Sequence, residues 1–219
     1  MTRDNRSPLT PVQLREYASE HLNYEIDSMR TANQLLAQMP EPTSRSTWAL
    51  QTPVLESLVT HARNLVNFLY PARVQSTDVI ANDFFSGTSS WNALVPENAP
   101  DLLEKFRRRA NREVAHLTIH RISGRPDRKA YKLEIFEEIE QTLLVFAEHS
   151  SVELLPDEVK QLILNGNPPV DLAQGLADLQ QATRVALPPS GTYTQNYSSE
   201  FIVLSTNRTP PNVRRPRIQ

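Results

Sequence analysis

Arg109 and His116 are the pair whose residue types and spacing most directly suggest chemistry in this chain. Seven positions apart on a helix, they lie two turns apart on one face. An imidazole moves protons near neutral pH. A guanidinium can hold a phosphate through two parallel hydrogen bonds and stabilise charge that develops on it. Such a pair suffices for metal-free cleavage of RNA, where the substrate's own 2′-hydroxyl is the nucleophile. Arg112 stands one turn before His116, and with Arg108 and His120 it would contact the RNA. The competing reading is a solvated basic face that pairs with the acidic helix after it.

The same stretch offers metal-like spacings. His116-Leu-Thr-Ile-His120 places two imidazoles one turn apart, and Glu113-Val-Ala-His116 has the spacing of carboxylate-bridged bundle sites. His61 could complete a set of three histidines, an arrangement that resembles the DinB metalloenzymes. A di-metal bundle needs a second Glu-x-x-His, which the sequence lacks, and Arg109 and Arg112 would repel a cation. The absence of cysteine excludes thiolate ligands and disulfides. No metal and no cofactor is therefore expected.

The elements that must carry these residues are helical. Thr10-Pro11 opens a helix with a buried stripe of Leu14, Tyr17 or Ala18, Leu22, Ile26, Met29, Ala32 or Leu36, and Met39, ended by Pro40-Glu-Pro42. A second helix starts near Pro53, with Leu55, Leu58, Val59, Ala62, Leu65, Val66 and Leu69 at three-four spacing. Thr77–Phe85 reads as a short helix or turn, and Trp91 as a cover on the end of the bundle. The basic helix opens at Pro100-Asp101 and is broken by Gly124-Arg-Pro126. A fourth helix runs from about Lys129 to Glu148, and shorter ones span residues 156–164 and 170–186. The expected fold is all-α: an antiparallel helical bundle of four main helices, plus short C-terminal helices and an irregular tail. Residues 1–10 form an arm, 11–165 the bundle and 166–219 an extension. From Leu187 onward Pro, Ser, Thr, Asn and Arg dominate, with the isolated run Phe201-Ile-Val-Leu204.

Charge is segregated although the net formal charge is only -2. Lys105 to Lys132 holds ten basic residues against Glu113 and Asp127, while Leu133 to Val159 holds eight acids and no Lys or Arg. The acids Glu134, Glu137, Glu138 and Glu140 would complement the basic helix or discourage non-specific association. Arg208, Arg214, Arg215 and Arg217 in the tail could hold RNA or an acidic partner. No apolar run approaches membrane-spanning length and the first residues have no apolar leader, so a cytoplasmic protein is expected, with no membrane partner.

His61-Ala-Arg-Asn-Leu-Val-Asn-Phe-Leu69, Asp78-Val-Ile-Ala-Asn-Asp-Phe-Phe85 and Asn111-Arg-Glu-Val-Ala-His-Leu-Thr118, in this order, resemble the HEPN superfamily, more narrowly its abortive-infection-related branch. The likeness covers roughly residues 14–148. It implies a small helical bundle, often dimeric, of toxin or phage-defence type. The superfamily signature is Arg, four to six residues, then His on the third main helix; Arg109 and His116 fit its upper limit. Ala110 stands where active members usually carry a polar residue. The resemblance thus implies a metal-independent endoribonuclease with Arg109 and His116 as catalytic residues. Its partners would be RNA, a second copy of the chain, and an antitoxin or nucleotidyltransferase-like protein. The alternative it implies is a non-catalytic module that binds a partner protein or a nucleotide.

Overall fold

The computed structural model describes residues 8–41, 43–86, 90–115 and 131–186. The fold is all-α, and no strand occurs among the described residues. The first helical run comprises α1 (Pro11–Tyr17), a π turn (Ala18–Leu22) and α2 (Asn23–Gln38). Thr10 starts it through a capping box, its hydroxyl accepting from the Gln13 backbone while the Gln13 side chain accepts from the Thr10 backbone. Of the expected stripe, Leu14, Ala18, Leu22, Ile26, Met29 and Ala32 are buried, while Tyr17, Leu36 and Met39 are half-buried.

Helix α3 (Arg45–Leu69) begins well before Pro53. Ser44 and Thr47 form a second capping box that nucleates it there. Pro53 is consequently inside the helix, on an exposed side, where it forfeits one backbone hydrogen bond. The early start also corrects the expected buried stripe. Leu55 is exposed, as are Trp48 and Leu50, and fully buried positions begin only at Leu58. Helices α2 and α3 form an antiparallel hairpin. Gln51 bonds the Pro40 carbonyl near the turn, and Glu25 reaches His61 and Asn64 farther along.

After a 3₁₀ turn (Ala81–Phe84) and the short α4 (Trp91–Leu94) comes α5 (Asp101–Ala110), continued by a second π turn (Asn111–Ala115). Arg107 near the end of α5 bonds the Tyr70 carbonyl just past α3 at 2.5 Å, and Asn111 meets Arg63 at 3.5 Å, so α5 runs antiparallel to α3. Helix α6 (Leu133–His149) then returns along α5, with Phe106 against both Tyr131 and Phe136. Trp91 does close one end of the bundle. It is buried, donates from Nε1 to the Leu69 carbonyl at 2.7 Å, and packs edge-on against Phe146. Phe68, Phe84 and Phe146 complete that cluster, each pair of rings meeting edge to face.

Helix α7 (Asp157–Asn165) is held by Arg30 of α2. The guanidinium bonds both oxygens of Glu140 on α6, at 2.8 and 2.5 Å, and also the Leu162 and Ile163 carbonyls. One side chain thereby satisfies late carbonyls of α7 and a half-buried carboxylate. Residues as far as Gln174 form one compact unit, because Asn167, Val170 and Leu172 hydrogen-bond to Asp27, Gln34 and Gln38 of α2. A second unit begins at Gly175; its described part is the rest of α8 (Leu172–Ala186), with Leu176 and Leu179 exposed. No described helix is long and apolar enough to cross a membrane.

His116, His120, the Gly124-Arg-Pro126 break, the beginning of the arm and the tail from residue 187, including Phe201–Leu204, lie outside the described residues. Glu140 pairs with Arg30 of α2, and the basic residues of α5 pair with acids of their own helix or its π turn. Among the described residues no ion pair joins α5 to α6.

Arg30→Ala should cost about 3 kcal/mol in urea unfolding, because it strands Glu140 and the α7 carbonyls. Arg30→Met with Glu140→Met should cost clearly less than the two single changes added together. Additive costs would mean that the pair is not coupled.

Candidate functional site

The helix that begins at Asp101 carries the candidate site. Pro100 precedes it, and Asp101 and Glu104 sit in its first turn, where the helix dipole favours acids. Leu103, Phe106 and Ala110 bury its inner face. Arg107, 8% exposed, pairs with Glu104 and the Tyr70 carbonyl just past α3, so its role is to fix the helix. Arg108 is largely exposed and donates from Nε to Glu104 at 2.9 Å.

Arg109 is held in two ways. Its Nε donates to Glu113 Oε2 at 2.9 Å, and its guanidinium carbon lies 4.1 Å above the centre of the Tyr131 ring. The Tyr131 hydroxyl donates to the same Glu113 oxygen at 3.3 Å. Anchored by its face and its Nε edge, and 26% exposed, the guanidinium keeps both terminal nitrogens without a bond to another described residue. That is the edge a phosphate engages with two parallel hydrogen bonds. Tyr131 pays electrostatically for its place. Burial, followed by the neighbouring Glu113 charge, pushes its phenol up to about 12, while Arg109 works in the opposite direction.

Between Arg109 and His116 the helix is not plain α. Residues Asn111–Ala115 form a π turn, which carries one extra residue per turn and so lags α-helical phase by roughly 100°. The two-turn alignment of Arg109 with His116 assumes an unbroken α-helix, and the described part of the segment departs from one. Arg112 is exposed within this turn. His116 and His120 lie outside the described residues, and among the described residues no cluster of His, Asp and Glu could hold a metal ion.

The structure also assembles residues that spacing alone did not group. Glu25 Oε2 lies 2.8 Å from His61 Nδ1, and both Glu25 oxygens accept from Asn64 Nδ2, at 3.1 and 3.2 Å. Arg63 donates to the Asn64 side-chain oxygen at 3.0 Å and reaches the Asn111 oxygen at 3.5 Å. Its buried Nε has no partner among the described residues. Tyr24 packs edge-on against His61. This polar line runs from α2 through α3 to the second π turn. Its sequence signal was the trio His61, Arg63 and Asn64, set beside an apolar helix face.

Asn64 and Asn111 also line an open groove of about 510 Å³, together with Tyr17, Asn67, Arg73 and Arg107. Tyr17 is half-buried there. Its phenol is raised by burial first and by the Glu25 and Asp78 charges second. Comparison with known proteins adds no relative: no family model, no curated protein and no solved structure matches the chain.

Tyr17, Tyr70 and Tyr131 all ionise above their ordinary value. A raised folded-state value stabilises the fold fully below the unfolded tyrosine range, near pH 10, and that contribution is lost as pH rises towards 12. Stability measured by denaturant titration should therefore fall between about pH 10 and pH 12. Tyr131→Phe should flatten part of that fall, and an unchanged slope would show that Tyr131 ionises freely in the folded protein.

Proposed function

We propose that the chain is a metal-independent endoribonuclease of the HEPN type, serving as a toxin or in phage defence. It would act in the cytoplasm as a homodimer. The observation that supports this reading best is the state of Arg109, a guanidinium fixed by Glu113 and Tyr131 with its two terminal nitrogens turned out of those contacts. A catalytic arginine benefits from such pre-organisation, because little ordering remains to be done when the phosphate arrives.

In the proposed reaction the 2′-hydroxyl of the substrate attacks the adjacent phosphorus. The bond from phosphorus to the 5′-oxygen breaks, leaving a 2′,3′-cyclic phosphate and a 5′-hydroxyl. Arg109 neutralises charge on the non-bridging oxygens, and His116 transfers a proton to or from the reacting oxygens. Arg108 and Arg112, exposed on the same helical run, hold the flanking backbone, with His120 as a further contact. In a homodimer an isologous interface would bring the two Arg-His faces around one groove.

A second reading, a non-catalytic module for a partner protein or nucleotide, is favoured by one observation. Glu113 already neutralises much of the Arg109 charge. An antitoxin or nucleotidyltransferase-like partner fits either reading.

Cleavage of single-stranded RNA in the presence of a chelator tests the proposal. The wild type should cut at an undiminished rate. Arg109→Ala and His116→Ala should each lose a factor of roughly 10² or more, far beyond the small loss of stability expected where Arg109 gives up Glu113 and Tyr131. The double variant should be little worse than either single, since groups that act as a unit are not additive. Variants that cut like the wild type would discard the site. A wild type that cuts no RNA would leave the second reading.

Arg112→Ala should act differently, weakening RNA binding modestly and lowering its salt dependence by about one phosphate contact. An unchanged salt dependence would remove Arg112 from the interface.

A further inference from the structure

We propose that the groove between α1, α3 and the second π turn binds a single nucleotide unit. The inference gives a place to the nucleotide of the second reading and does not depend on RNA cleavage. Its basis is the wall of the groove and what that wall leaves unengaged.

Size comes first. About 510 Å³ is within the usual range for small-molecule sites and far more than a phosphate ion occupies. Chemistry comes second. Side-chain carboxamides from Asn64, Asn67 and Asn111 meet there, beside the half-buried ring of Tyr17. Carboxamides offer a donor and an acceptor side by side, which matches the edge of a base. Two of the three are pre-set by the polar line behind them. Arg63 engages the oxygens of Asn64 and Asn111, and Glu25 takes the Asn64 amide nitrogen. Asn111 is thus held with its oxygen towards Arg63, leaving its amide nitrogen as a donor. Asn67 is exposed and has no side-chain partner among the described residues, so both ends of its amide are available.

Charge comes third. Arg107 is committed to Tyr70 and Glu104, whereas Arg73 is exposed at the rim and has no described partner. Asp78, the carboxylate on this wall, accepts from the Gln75 backbone at 2.7 Å and is drawn into its own loop. A ligand with one planar, hydrogen-bonding end and one anionic end fits this arrangement: base towards Tyr17, Asn67 and Asn111, phosphate towards Arg73. The two π turns bracket the groove, since Tyr17 immediately precedes the first and Asn111 opens the second.

The same chemistry could come from a free nucleotide or from one residue of an RNA strand, and calorimetry on the full chain separates them. The probes are each ribonucleoside 5′-monophosphate, ribose 5-phosphate as the base-free control, and a 2′-deoxy tetranucleotide that a 2′-hydroxyl mechanism cannot cut. At least one monophosphate should bind with a dissociation constant between about 10 µM and 1 mM. Asn67→Ala and Arg73→Ala, both at exposed positions, should each weaken it about five- to tenfold. Ribose 5-phosphate should bind at least tenfold more weakly. A tetranucleotide more than tenfold tighter than any monophosphate, and still sensitive to both variants, assigns the groove to a strand; similar affinities assign it to a free nucleotide. Absence of binding at millimolar concentration to every probe overturns the proposal, as does binding that neither variant weakens or that ribose 5-phosphate equals. Weakening by Asn67→Ala and Arg73→Ala reads the groove, and cleavage lost in Arg109→Ala and His116→Ala reads the catalytic site, so failed cleavage and failed groove binding are separate results.

Discussion

The carboxylate of Glu25 is the contact on which the arrangement of the middle of the bundle depends. It is three-quarters buried, and it meets His61 and Asn64 on the neighbouring helix. Through Asn64 and Arg63 the same line continues to Asn111. A partly buried network of this kind is stabilising only when its members satisfy one another, because each lost partner leaves a desolvated group behind. It therefore fixes how α2, α3 and the start of the second π turn meet more narrowly than apolar packing would. Apolar cores tolerate small shifts of volume; a chain of hydrogen bonds tolerates only small changes of distance and angle.

The two π turns sit at the places where this network and its surroundings need an extra residue. In the first, Ala18 and Leu22 stay buried while Tyr17 and His21 remain in ring contact. In the second, the turn begins at Asn111, directly after the helix has delivered Arg107 to one side and Arg109 to the other. Arg107 and Arg109 are two positions apart and so point to nearly opposite sides of α5. That geometry gives α5 two distinct working faces. One carries the guanidinium stacked on Tyr131, and the other forms part of the polar groove.

The apolar pattern made the fold legible, but not the early start of α3 or the two π turns within the helical runs. Leu14 through Met29 and Leu58 through Leu69 are buried as their three-four spacing demands. The start of α3 was not legible from that pattern, because Ser44 and Thr47 initiate the helix before any buried residue appears. Neither π turn announces itself in hydrophobic periodicity, since a one-residue lag is absorbed within a turn. At the candidate site, the Arg109–Glu113 stripe was readable as a one-turn spacing and is an ion pair. Tyr131 was not readable as its partner: it precedes α6 and reaches Arg109 through tertiary packing. Likewise Arg63 and Asn111 are 48 positions apart, and no local rule joins them.

Arg30 has a consequence for the order of assembly. Its bonds to Glu140, Leu162 and Ile163 span 110, 132 and 133 positions of sequence. The α2–α3 hairpin closes over a short turn and can form from local contacts alone. Docking of α6 and α7 closes far longer loops, which carry the larger entropic cost. Arg30 is one of several ties on α7, since Val159 and Ile163 are buried in the core and Glu158 accepts from Ser19. A local opening of α7 has to expose Val159 and Ile163 as well as release Arg30, which ties the stability of this helix to that of the core.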